Sequence, residues 1–91
     1  MNYKEGDRVV GEIYKGDERI TRVKFGGVTR NETGGLQFDV AVGGWTSKVK
    51  IGDDCRLVTE DGETKVRLAS MSTIGEAPNQ ATFMMFSIMQ D

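Results

Sequence analysis

The chain has 91 residues, 37% of them hydrophobic and 29% charged, with a formal charge of −2 and no histidine. That length predicts a single β domain over residues 1–91 with a thin core, one that oligomerisation would supplement. The acidic balance argues against a general nucleic-acid binder; the missing histidine and solitary Cys55 exclude an internal disulfide, a Ser-His-Asp or Cys-His centre and a zinc cluster, so no metal or cofactor is expected.

The segment Met1-Asn2-Tyr3-Lys4-Glu5 is polar and charged, so no export signal is expected, and no apolar run approaches the roughly 20 residues of a membrane span. With one unpaired thiol, this predicts a reducing, cytoplasmic setting. Twelve glycines punctuate the chain, and the pairs Gly26-Gly27, Gly34-Gly35 and Gly43-Gly44 recur at spacings of eight and nine residues. That rhythm predicts an all-β fold: a small antiparallel meander of about seven strands, closed as a barrel or stacked as a two-sheet sandwich. It resembles small barrels such as SH3-like and OB modules, a likeness of architecture that implies no activity.

A first hairpin is predicted over Val9–Lys15 and Glu18–Phe25 around Gly16-Asp17. Its simplest register sets Lys15 opposite Glu18, Ile13 opposite Ile20 and Val10 opposite Val23, with apolar residues on both faces. Asn31-Glu32-Thr33 reads as a turn.

The second hairpin is predicted to reverse at Gly43-Gly44, a pair that supplies positive φ without steric cost. It pairs Leu36–Val42 with Trp45–Ile51, so that Val42 meets Trp45, Ala41 meets Thr46, Val40 meets Ser47, Asp39 meets Lys48, Phe38 meets Val49, Gln37 meets Lys50 and Leu36 meets Ile51. Alternation then sorts Leu36, Phe38, Val40, Val42, Trp45, Ser47, Val49 and Ile51 to the core, and Gln37, Asp39, Ala41, Thr46, Lys48 and Lys50 to solvent. Gly52-Asp53-Asp54 makes the next tight turn.

A third hairpin, Cys55–Glu60 and Glu63–Leu68, is predicted to reverse at Asp61-Gly62. On its inner face Thr59 meets Thr64, Leu57 meets Val66 and Cys55 meets Leu68. On its outer face Val58 meets Lys65, and two like-charge pairs form, Glu60 with Glu63 and Arg56 with Arg67.

The C-terminal quarter is different, for Glu76 is the only charge between Leu68 and Gln90. The strand Ala81–Met89 is apolar on both sides, with Phe83, Met85 and Met89 on one face and Met84, Phe86 and Ile88 on the other. It is predicted to pair antiparallel with Lys65–Ser72 across a loop holding Gly75 and Pro78. No helix is expected beyond a short turn near residues 1–7 or 74–79.

Three features bear on function. Like charges opposed across strands ask for a compensating anion. Arg56, Lys65 and Arg67 are therefore candidates to hold a small anionic, nucleotide-like ligand, with Trp45 or Tyr14 as stacking platform. The alternative is a charged face answered by Glu60, Glu63 or an acidic neighbour, with Trp45 closing the end of the core. Cys55, facing inward, reads as a small buried hydrophobe. A strand apolar on both faces in so small a domain calls for a partner. The leading expectation is a non-enzymatic binding protein that self-associates as a homo-oligomer through Met84, Phe86, Ile88 and Met85, or through the opposite set of that strand. An accessory subunit that docks the same strand on a larger protein is the further alternative.

Overall fold

The computed structural model describes residues 3–43, 48–76 and 78–89, with the backbone alone at Phe25. Among these residues are seven strands: β1 Arg8–Lys15, β2 Glu18–Gly27, β3 Thr29–Arg30, β4 Leu36–Gly43, β5 Asp54–Thr59, β6 Gly62–Ile74 and β7 Ala81–Met89. No helix occurs among the described residues. All pairings are antiparallel, in one sheet of order β2-β1-β5-β6-β7-β4-β3. The sheet curls into a half-barrel, with β2 brought near β4, so the two-sheet alternative does not apply. Its concave side holds the core, where Phe38, Phe86, Ile13, Leu57, Leu68 and Met84 are almost fully buried.

The first hairpin turns where the sequence predicts. Gly16 has φ of 62° and Lys15 pairs with Glu18, the arrangement of a type II′ reversal. The predicted Ile13–Ile20 and Val10–Val23 pairs do not form, because a bulge after Ile13 sets it opposite Thr21, and Gly11 opposite Val23. The reason lies in parity. An unbroken ladder would put Val23 on the face away from Ile13. The extra residue brings Val9, Ile13 and Val23 together inside, and leaves Val10 outside.

The predicted hairpin at Gly43-Gly44 is not the pairing that β4 makes. Gly44, Trp45, Thr46 and Ser47 lie outside the described residues, and with them the pairs drawn to Val42, Ala41 and Val40. The remaining predicted pairs, Asp39–Lys48, Phe38–Val49, Gln37–Lys50 and Leu36–Ile51, do not form. Instead β4 pairs along Gln37–Gly43 with β7, and its first two residues pair with β3. Two forces favour this. Strand β7 offers Phe86 and Met84 opposite Phe38 and Val40, where residues 48–51 offer only Val49 and Ile51. The Asp53 carboxylate also accepts the Lys50 N–H at 2.8 Å, while Asp53 N–H donates to the Lys50 carbonyl, curling this segment into a turn. Val49 is still buried, but Ile51, predicted inside, is 62% exposed. Lys48 and Lys50 face solvent as predicted.

The β5–β6 hairpin forms with a shifted register. Thr59 pairs with Gly62, Leu57 with Thr64, Arg56 with Lys65, Cys55 with Val66 and Asp54 with Arg67. An Asp61-Gly62 primed turn would hold Asp61 at positive φ. Only the glycine goes there, with φ of 132°. The shift moves each partner by two residues, so the predicted faces survive although the Arg56–Arg67 pair does not.

Strand β6 pairs with β7 from Lys65–Met89 to Ile74–Ala81, as predicted, through a bulge at Ala69. The bulge keeps Leu68 and Met71 both on the concave side.

Gly11 marks a close approach. A Cβ there would collide with the Val58 carbonyl of β5, whereas one at Gly27 meets nothing within 4 Å. Gly11→Ala is expected to lower unfolding free energy by about 2 kcal/mol, and Gly27→Ala by less than about 1 kcal/mol. Urea titrations of both variants check this.

Candidate functional site

The predicted cations come from the outer side of β5 and β6. Arg56 stands opposite Lys65, and Arg67 opposite Asp54. Each is answered within the chain. Arg56 Nη1 donates to Glu63 Oε1 at 2.6 Å and Nη2 to the Gly16 carbonyl at 2.8 Å, and its guanidinium lies 5.6 Å from the Tyr14 ring centroid. Arg67 Nε donates to Asp54 Oδ1 at 2.8 Å, with Lys65 Nζ 3.6 Å from the other Asp54 oxygen. Tyr14, the candidate platform, is thus already faced by Arg56. Tyr14, Arg56, Glu63, Lys65 and Asp54 line a shallow groove of about 370 Å³ with Cys55 and Thr64, and Arg67 lies outside its lining. The charge opposition that called for an outside anion is relieved by Glu63 and Asp54. Trp45 lies outside the described residues.

Cys55 is buried. Burial, reinforced by the nearby Asp53 carboxylate, pushes its thiol up, which disfavours the nucleophilic thiolate. No cluster of His, Cys, Asp or Glu among the described residues could hold a metal ion.

The interface candidates divide by parity. Met84, Phe86 and Ile88 point into this chain's own core, at 1%, 0% and 8% exposure. They are not available to a second chain. Met85 is half-buried on the convex side, in one row with Asp39 and Ser70. The next row is Ala41, Phe83 and Ser72, and the last is Gly43, Ala81 and Ile74. Among the described residues this three-stranded face carries one charge, Asp39. At its centre stands Phe83, 45% exposed, between two small neighbours. The rest of the convex side is different. There Glu12 pairs with Arg19, Arg56 with Glu63, and Asp54 with Lys65 and Arg67.

Sequence reasoning found the two-sided strand but not the contributions of Ala41, Ser70 and Ser72. Those depend on which strands flank β7. Alternation already sends Asp39 and Ala41 outward together; that Ser70 and Ser72 join them follows only from the β4–β7 and β6–β7 pairings.

No protein-family model matches this chain, and neither does any curated protein or solved structure.

Asp53 ties β1 to the crossing between β4 and β5. Lys15 Nζ donates to it at 2.7 Å and Lys50 N–H at 2.8 Å. The Lys15 hydrogen bond, then that from Lys50, holds its carboxyl below the usual range, and Arg67 does the same for Asp54. A lowered folded-state pKa gives stability that is present above the unfolded titration range and lost as pH falls through the folded value. Stability should therefore decline below about pH 4, and Asp53→Asn should flatten that decline. Urea midpoints measured across acid pH for both proteins check it.

Proposed function

We propose that this chain is a non-enzymatic binding protein that works as a homo-oligomer, with the convex face around Phe83 as its self-association surface. The observation that carries this reading is the partition of the convex side. One half is tiled with ion pairs, and the other, built from β4, β7 and the C-terminal part of β6, has Asp39 as its only charge among the described residues. Depletion of charge around a central aromatic is the composition of an interface core.

The shape suits a second copy. Phe83 projects between Ala41 on β4 and Ser72 on β6, so a protruding ring lies beside low ground. A two-fold axis through such a face sets each ring into the other's hollow, the self-complementarity that an isologous contact requires. It also keeps Asp39 toward the rim, away from burial without a partner.

Phe83→Asp is expected to give a folded monomer where the unaltered chain sediments as a dimer or larger. Met84→Asp, aimed into the core, is expected to unfold the domain. Sedimentation velocity with circular dichroism distinguishes the two. An unaltered chain that stays monomeric at its highest soluble concentration contradicts the proposal and favours docking on a different protein.

A further inference from the structure

The half-barrel has a seam. Strand β2 ends the sheet on one side, and on the other β3 covers only Leu36 and Gln37 of β4. Successive antiparallel pairings through β1, β5, β6 and β7 leave β2 and β4 running antiparallel to each other. They meet at Gly26, where a Cβ would stand 3.3 Å from the Phe38 ring. Beyond that contact lies a groove of about 640 Å³, lined by Arg22, Val23, Lys24, Asp39, Val40 and Phe83 among others. Among the described residues, neither β2 nor the Phe38–Gly43 stretch of β4 has a ladder partner on the groove side.

The groove therefore has apolar depth, from Val23 and Val40, between two edges of unpaired backbone. Its rim is cationic in a chain whose formal charge is −2. Among the described residues Arg22 has one ion-pair partner, Glu12 at 4.0 Å, which is already engaged by Arg19 at 3.0 Å. Lys24 makes no ion pair among the described residues, and Asp39 is the single carboxylate of the lining.

We propose that this seam accepts an extended acidic peptide as an added strand. Its alternate residues face Val23 and Val40 and are apolar; the residues between them flank Arg22 and Lys24 and are acidic. Backbone hydrogen bonds to an open edge supply affinity, and the alternating side chains supply selection. Either direction of entry pairs antiparallel with one wall and parallel with the other, and both ladders hold. The groove adjoins the proposed self-association face and shares Asp39, Ala41 and Phe83 with it, whereas Arg22 and Lys24 on β2 lie outside that face and report on the seam alone.

The test uses the whole chain with a blocked peptide of alternating glutamate and valine, and a lysine–valine counterpart. Amide hydrogen exchange should slow at Arg22–Lys24 and at Val40–Val42 with the glutamate peptide alone. Anisotropy of the labelled peptide should show binding weakened about tenfold or more by Arg22→Glu with Lys24→Glu. Arg22→Gln with Lys24→Gln serves if the first variant fails to fold. No protection at these walls overturns the proposal. Equal protection by the lysine peptide overturns the partner chemistry. Protection that grows with protein concentration without peptide also overturns it, by making a second copy the occupant and the rim charges a guard on the edge.

Discussion

Phe38 and Phe86 stack with centroids 5.6 Å apart and ring planes inclined by 21°, both without solvent exposure. They sit opposite each other on β4 and β7, and the rest of the architecture depends on that contact. An offset aromatic pair adds about 0.5–1.5 kcal/mol beyond the area it buries. More consequential is what it selects. Once β4 is docked on β7, residues 48–53 become a crossing to β5, and the other side of β4 is left facing β2. The same docking lines up Asp39 with Met85 and Ala41 with Phe83 on the convex side. The uncharged face and the seam are thus two results of one strand pairing.

Parity was legible in the sequence where partnership was not. Alternation along 36–42 sends Leu36, Phe38 and Val40 inward and Asp39 and Ala41 outward, whichever strand lies beside them. The β5–β6 hairpin makes the same point, because its register moves by two residues and its faces stay in place. Partnership depends on non-local packing, and β4 and β7 are some forty positions apart. The glycine pair at 43–44 is an adequate hairpin signal, but a local signal loses to a partner carrying a second phenylalanine. The bulges at the ends of Ile13 and Leu68 were illegible for a related reason. Each corrects a conflict of parity that appears only when the neighbouring strand is known.

The candidate site was half legible. The low charge of the C-terminal segment stands out in the sequence, and so does the two-sidedness of Ala81–Met89. Which side is core depends on β4 and β6, and Thr82 shows how little hydrophobicity alone decides. It is fully buried and its hydroxyl lies 3.2 Å from that of Thr73, while its neighbour Phe83 is half exposed. The cations were legible as residues but not as pairs. Asp54 meets Arg67 only in the shifted register, and Arg56 reaches the Gly16 carbonyl only because β1 lies beside β5. Exposed ion pairs of this kind contribute little to stability, because solvent screens them. Their weight here lies in marking the water-facing half of the sheet. Strand β6 crosses the boundary, with Lys65 and Arg67 before the bulge at Ala69 and Ser70, Ser72 and Ile74 after it.

The β4–β7 pairing is tested most directly by cross-strand nuclear Overhauser effects in the labelled protein. Contacts joining the backbone of Asp39 to Met85 and of Ala41 to Phe83 are the expected result. Contacts joining Asp39 to Lys48 and Phe38 to Val49 would restore the local hairpin, and would contradict the account of both the uncharged face and the seam.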